Sequence, residues 1–434
     1  MKRVRKTPFF PLFFLFFLIL LNGIGTTLPI PNLAQLADQY DFPLLGLVEA
    51  LFVVILTCFI FFWGYLVDKF DRKHLLWAAN VIWILPAIMV FFIPNSLQIY
   101  ILGRLGMAVG LSAFSPLAYS ILADFAKYED RGLIASGLNI AWVGSNAAGI
   151  LIGGFFSSNW NFSFGVVALF GVLVLSWQLF IQIPKRAEQE PSFSSLEEYE
   201  YRWRIDLKQI PEALKSRTII WLLIQGIFAL IPGSIYTMWL ISFLSSSEGL
   251  GITTIGNASV IIVIIASGRA LGYPFFGKMG DFYAKKRESS QIRAKIATIF
   301  MAGQAFFFFF AFMIVSSDSL LFLMFSILFW IGSFIGSASG PNRTSLLFDV
   351  SLPEHRGTLG ALFSITDQLG IIIGIVLSTF SINLIGFRMT FSLCLGFYFI
   401  AAFVWALSIS SINTEKKEIH NLLTLRAKEV SKAG

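Results

Sequence analysis

Apolar residues come in long blocks separated by short polar connections. The blocks run over about 8–30, 44–67, 74–94, 98–123, 132–156, 162–183, 218–244, 252–276, 294–315, 319–342, 358–381 and 388–410. Each has the roughly 20 to 28 residues with which an α-helix crosses a bilayer at some tilt. Gly and Pro inside the blocks do not demote them, because packed membrane helices tolerate both. The pattern predicts an all-α membrane protein with twelve transmembrane helices. The first block follows MKRVRK and runs on into GIGTTLPIP without a small-residue cleavage pattern, so it reads as a retained helix.

Composition agrees with this. Hydrophobic residues make up 56% of the chain and charged residues 13%, about half the share of a soluble domain. The net charge of +7 matters through its placement. Lys and Arg occupy alternate connections: MKRVRK, DKFDRKH, AKYEDR, the stretch 184–217, YAKKRESSQIRAK, PEHR and the tail. The intervening connections carry none, although Arg388 borders the last of them. That asymmetry predicts a plasma or inner membrane protein with both termini cytoplasmic. The basic excess is then topological, and no nucleic-acid partner is expected. Cys58 and Cys394 sit in apolar blocks and there are three His residues, so neither a structural disulfide, a metal site nor a cofactor is expected.

The connection 184–217 divides six blocks from six. The expected organisation is an N-terminal six-helix bundle (1–183), a cytoplasmic linker (184–217), a C-terminal six-helix bundle (218–412) and a cytoplasmic tail (413–434). Ser195 and Glu198 in the linker fit a capping box that would open a short amphipathic helix.

The halves repeat. SPLAYSILADFAKYEDRG (115–132) and GPNRTSLLFDVSLPEHRG (340–357) align without a gap. Pro116, Ser120, Asp124, Glu129, Arg131 and Gly132 match Pro341, Ser345, Asp349, Glu354, Arg356 and Gly357. Gly64–Asp68 corresponds in the same way to Gly277–Asp281. Both copies of each motif lie at the Lys/Arg-rich ends of their helices, so the repeats are parallel. Parallel six-helix repeats occur in a large class of secondary transporters, with the substrate site between the halves.

GYLVDKFDRK (64–73) resembles the signature between the second and third helices of the major facilitator superfamily. Gly64, Asp68, Lys69, Arg72 and Lys73 fit it, and Asp71 stands where most members have Gly. GRLGMAVGLSAFSP (103–116) resembles the fourth-helix motif of the same superfamily. A narrower resemblance, in GYLVDKFDRK and SPLAYSILADF, is to the Spinster-like branch, which is associated with lysolipid or sphingolipid export. That branch has an acidic residue in the first helix and a Glu near the fourth-helix Arg. This chain has Asn22 in the first helix, and Arg104 is followed in the fourth by Gly110-Leu111-Ser112, with no Glu there. The resemblance implies the major facilitator fold and alternating access. It also implies a gate built from Gly64, Asp68, Arg72, Lys73, Asp124 and Arg131, with Gly277, Asp281, Asp349 and Arg356 as the second-half counterparts.

Ionisable residues inside the bilayer are functional candidates because they are costly unless paired or wet. At about 1.5 Å per residue, Glu49 lies about 28 Å from the level of Asp68 and Arg104 about 30 Å from that of Asp124. Arg269 lies about 18 Å from Asp281, and Asp367 about 16 Å from Arg356. Arg104 and Arg269 are therefore expected to offer positive charge to a cavity, with Glu49 and Asp367 as partners; each pair could equally be structural. Asn22, Asn146 and Tyr236 are further candidate contacts. The glycines at 103, 106 and 110, and at 332, 336 and 340, read as helix-packing positions. There is no phosphate-binding loop for ATP, and no catalytic residue is expected.

The expected function is secondary transport, by a monomer, of a small organic solute that is anionic or amphipathic. H+ is a candidate coupling ion. A lysolipid or other amphipathic lipid exporter, a drug efflux carrier and a non-transporting membrane sensor are the alternatives.

Overall fold

The computed structural model describes residues 9–33, 35–36, 42–125, 131–180, 214–352 and 356–433. The linker, with its Ser195–Glu198 box, lies outside them. So do the side chains of Asp68, Asp124, Arg131 and Arg356.

Every regular element among the described residues is helical. In chain order they are α1 (Phe9–Thr27), a 3-10 turn (Ile30–Asn32), α2 (Phe42–Lys69), α3 (Arg72–Phe92), α4 (Leu97–Leu111), α5 (Phe114–Phe125), α6 (Arg131–Phe155), a second 3-10 turn (Ser157–Asn159) and α7 (Asn161–Gln178). After the linker come α8 (Arg217–Ser245), α9 (Ile255–Lys286), α10 (Gln291–Ile314), α11 (Ser319–Gly336), α12 (Ser339–Asp349), α13 (Arg356–Cys394) and α14 (Gly396–Ala433). Among the described residues nine helical stretches are long and apolar enough to cross a membrane, and Phe16–Asn32 and Ile140–Phe155 are shorter apolar ones. Phe155, Phe180 and Leu384 are about four-fifths exposed. Such apolar surface suits contact with lipid chains. The chain is a multi-pass integral membrane protein.

Two apolar blocks that hydropathy reads as continuous are broken. Ser112–Ala113 separates α4 from α5, and Ser337–Ala338 separates α11 from α12. The breaks fall at the same register as the internal repeat. Ser112 Oγ donates to Val109 O (2.7 Å) and Ser337 Oγ to Phe334 O (2.6 Å). In each case the hydroxyl takes up a carbonyl in the last turn before the break. The eleventh and twelfth blocks are joined instead by a bend within α13 at Gly386, whose φ of 76° is a conformation that favours glycine. α14 continues as a helix through the expected tail.

The helices pack in two groups. α1 packs on α6, α3 on α4 and α7, and α2 on α4; α8 packs on α13 and α14, α10 on α11 and α14, and α9 on α11. The groups meet where α6 packs on α9 and α2 on α13. Small residues set the closest approaches. A Cβ at Gly110 would strike Trp83 and Ala79 O, and one at Gly336 would strike Gln304.

The α2–α13 contact is uneven along its length. Near the Lys/Arg-poor end a Cβ at Gly46 would overlap Thr379, and in α6 one at Gly154 would overlap Ser259 of α9. Toward the Lys/Arg-rich end, Cβ atoms at Gly64 of α2 and Gly360 of α13 would meet nothing within 4 Å among the described residues. At these glycines the close packing of α2 on α13 is thus confined to the Lys/Arg-poor end.

Candidate functional site

Two arginine–carboxylate pairs lie within the helical groups. In the first, Glu49 of α2 receives Arg104 of α4 through Nε (2.9 and 3.2 Å) and Nη2 (2.8 Å). Arg104 Nη1 and Nη2 also donate to Gly25 O and Thr26 O, both at 2.6 Å. Tyr100 donates to Glu49 at 3.2 Å, and the guanidinium carbon sits 3.7 Å from the Phe52 ring centroid. Arg104 is 0% exposed and Glu49 5%. Each guanidinium nitrogen has an acceptor, so the pair is sealed and ties α1, α2 and α4 together. Neither side chain is more than 7% exposed in this conformation.

The second pair joins Arg343 of α12 to Asp367 of α13, at 2.7 and 2.9 Å from Nη1 to the two carboxylate oxygens. Asp367 does not take Arg269 as its partner, contrary to the level estimate. Counted from Asp349, Arg343 lies only about 9 Å up its helix. The long arginine side chain spans the remaining offset to Asp367. Here only Nη1 is engaged. Nε and Nη2 are buried and have no acceptor among the described residues. The Phe363 ring centroid lies 4.5 Å from the guanidinium carbon. The pair sits over Gly226 of α8, where a Cβ would overlap both Arg343 Nη2 and Asp367 Oδ1. The Arg343 side chain is 10% exposed and that of Asp367 31%, so the carboxylate is the accessible member.

The other candidates scatter. Arg269 is half-buried and faces the Tyr398 hydroxyl. Asn22 Nδ2 donates to Leu111 O (2.6 Å), at the last turn before the α4–α5 break. Asn146 O accepts from Thr27 (3.0 Å), while its Oδ1 is buried without a partner. Tyr236 donates to Phe391 O (3.1 Å), receives Cys394 Sγ–H (3.1 Å) and packs among Phe308, Phe312, Phe329 and Phe391.

The expected gate residues lie at the Lys/Arg-rich end. Asp71 caps α3, accepting from the backbone of Lys73 (2.8 Å) and His74 (3.2 Å) and facing His74 Nδ1 at 3.1 Å. Partial burial pushes its carboxyl up, but the His74 and Lys73 hydrogen bonds outweigh this and hold it below the ordinary value. Arg72 Nη1 donates to Ser120 O (3.1 Å) and Oγ (3.3 Å), one turn short of Asp124. Lys73 Nζ reaches Leu179 O (3.2 Å). In the second group Asp281 pairs with Arg293 (2.6 Å), and Asp349 accepts from Ser290 (2.5 Å) and faces Lys416 (3.5 Å). Gly277 lies within α9 one turn before Asp281.

Arg343 was not among the residues singled out in the sequence. The signal for it was its charge, the only one in the otherwise uncharged run from Ser319 to Phe348.

With this geometry, the comparisons are direct. The chain matches the Major Facilitator Superfamily over residues 15–288 and 258–431, and it belongs to that superfamily. Within it, the chain is similar to spinster proteins. Protein spinster homolog 1 of Rattus norvegicus is 26% identical over 170 residues, 38% of this chain and 32% of that protein. The Bos taurus homolog 1 is 25% identical over 224 residues, 50% of this chain and 42% of that protein. The matches thus span less than half the length of these relatives. In three dimensions the chain is similar to a bacterial homolog of the human lysosomal transporter Spinster, in an inward-facing and unoccupied conformation: TM-score 0.74, 16% identity, 93% of this chain and 97% of that one. It is also similar to a D-xylose-proton symporter, with TM-score 0.71, 15% identity and coverage of 92% and 97%.

Proposed function

We propose that this protein is a secondary transporter that moves an anionic or amphipathic organic solute by rocker-switch alternating access. The observation that carries the reading is the uneven contact of α2 with α13. In this reading the Lys/Arg-rich end is cytoplasmic, both termini lie there, and the structure is the state open to the cytoplasm. The chain crosses the membrane twelve times, six in 1–183 and six in 218–412, with α4–α5 and α11–α12 each counted as one broken crossing and α13 divided at Gly386. The superfamily match and the spinster relatives support a transporter. The resemblance to a D-xylose-proton symporter supports H+ as a candidate coupling ion.

The half-satisfied Arg343–Asp367 pair is the point of contact for the solute. Asp68, Arg72, Lys73, Asp124 and Arg131, with Asp281, Asp349 and Arg356, form the cytoplasmic gate that closes when the site faces outward. The apolar walls and the spinster relatives favour an amphipathic lipid as a second reading of the solute.

Spin labels at 46 and 379, and at 64 and 360, test the motion. The 64–360 distance should shorten as the 46–379 distance lengthens when the reconstituted protein samples both states. Distances that never change in opposite directions refute the rocking motion. Saturable counterflow of labelled anionic amphiphiles in proteoliposomes tests transport itself.

A further inference from the structure

The Arg343–Asp367 pair carries more than a contact point. We infer that it is a one-proton, one-anion coupling site: an anionic group binds Arg343 only when Asp367 has taken up a proton. The inference rests on the transport reading for its purpose, but its geometry stands apart from it.

A site within the membrane tolerates little net charge, since an unpaired buried ion costs several kcal/mol. As it stands, Arg343 and Asp367 cancel. The charged groups on the neighbouring elements lie elsewhere. α8 presents Gln225 and Gly226 near the pair, and its one charged residue, Arg217, is at its start. α2 carries Glu49, which Arg104 holds, and then no charge until Asp68. Arg293 of α10 pairs with the exposed Asp281 through Nη2, its Nε and Nη1 also lacking an acceptor among the described residues, and Asp349 of α12 faces Ser290 and Lys416. Tyr398 of α14 faces Arg269, and Glu415 faces Ser216 and Thr218. Among the described residues, Arg343 is the charged group whose field acts on Asp367.

Adding an anion to the neutral pair would leave one uncompensated negative charge. Adding an anion and a proton together leaves the site neutral. The hydrogen bonding points the same way. Asp367 engages Nη1 alone, while the Nε and Nη2 hydrogens have no acceptor among the described residues. A planar guanidinium offers a fork that suits a two-oxygen anion, and that fork is unused. A proton delivered from the cytoplasmic opening to an Asp367 oxygen weakens its hold on Nη1. The guanidinium is then free to turn its fork to the incoming group, and Gly226, having no side chain, admits the pair's polar atoms where a Cβ would stand. When the anion leaves, Asp367 returns its proton to water and recovers Arg343. The ligand class is therefore a monovalent organic anion with a planar or tetrahedral oxyanion head, such as a carboxylate, sulfonate or phosphodiester.

The test uses 1-octanesulfonate, whose own charge does not change with pH, and the purified full chain in nanodiscs. Calorimetry between pH 5.5 and 8 should show affinity rising about tenfold per unit fall in pH, as linkage to one proton requires. A pH indicator in weak buffer should report one proton taken up per anion bound. Asp367→Asn should bind at every pH with the affinity of the wild type at low pH, and take up no proton. Arg343→Gln should stay folded by thermal melt and not bind. Affinity independent of pH, proton uptake that survives in Asp367→Asn, or no saturable binding by the wild type at any pH each overturns the coupling. None of these bears on the spin-label distances or on flux, by which the transport reading is judged separately.

Discussion

Among the described residues three arginine–carboxylate pairs form, and the two whose carboxylate is less than one-third exposed differ in how completely they are satisfied. Arg104–Glu49 has an acceptor for each guanidinium nitrogen, a tyrosine donating to the carboxylate and no exposure of the arginine. Arg343–Asp367 has one nitrogen engaged, two unsatisfied and a carboxylate that is nearly one-third exposed. The pairs are not copies of one another. At the offset that aligns the repeats, Phe329 stands opposite Arg104 and Ala118 opposite Arg343. They lie on opposite sides of the repeated Ser–Ala break, Arg104 before it and Arg343 after it. The difference teaches that burial of an ion pair says little about its role. What distinguishes these two pairs is donor satisfaction together with exposure of the carboxylate.

That contrast can be broken in order of expected effect. Arg104→Met leaves Glu49 buried without its partner and should cost about 3–5 kcal/mol of stability. Thermal melts or monodisperse yield from detergent would show it, and a near-wild-type melt would mean that the pair is not a brace. Gly226→Ala places a methyl group against both members of the second pair and should cost about 1–3 kcal/mol by overpacking. Its flux should fall more than its stability; equal losses would place the pair among structural features. Asp367→Asn should melt near the wild type, within about 1 kcal/mol for a partly exposed carboxylate, yet lose solute flux driven by a pH gradient. Retained pH-driven flux would end its role in coupling.

The smallest effect concerns the Asp71 cap of α3. Asp71→Ala should cost about 0.5–1 kcal/mol at neutral pH. The folded-state pKa of Asp71 is depressed, so its contribution is present above the unfolded value of 3.8 and lost as pH falls through the lower folded value. The difference in melting temperature between Asp71→Ala and the wild type should therefore shrink below pH 4. A gap that persists in acid would mean that the carboxylate is not the capping group.

Much of this was legible in the chain. Block length announced the helices, because bilayer thickness acts directly on that pattern. The spaced glycines read as packing positions, and Gly103, Gly106 and Gly110 do lie against Val90, Pro86 and Trp83 of α3. Counting residues from the helix ends put Glu49 and Arg104 at one level, and they meet. The same counting failed for Asp367, because it measures backbone height and ignores the length of the arginine side chain. The breaks at Ser112–Ala113 and Ser337–Ala338 were hidden because small residues do not interrupt hydropathy. Asn22 could be read as a polar residue in a span, but its acceptor is the Leu111 carbonyl, 89 positions away and set only by tertiary packing.

The start of α14's extension beyond its apolar stretch has a consequence for biosynthesis. Glu415 receives Ser216 Oγ (2.6 Å) and the Thr218 amide at the start of α8. Asn413 donates to Ser289 (2.9 Å), and Lys416 to Ser290 (2.7 Å), the residue that precedes α10 and donates to Asp349. These three residues are translated after every apolar block. The rim that joins α8, α10 and α12 therefore stays untied while the ribosome is still making the final helix, and a stop codon just before Asn413 would release a chain with all its apolar blocks and no clasp on that rim.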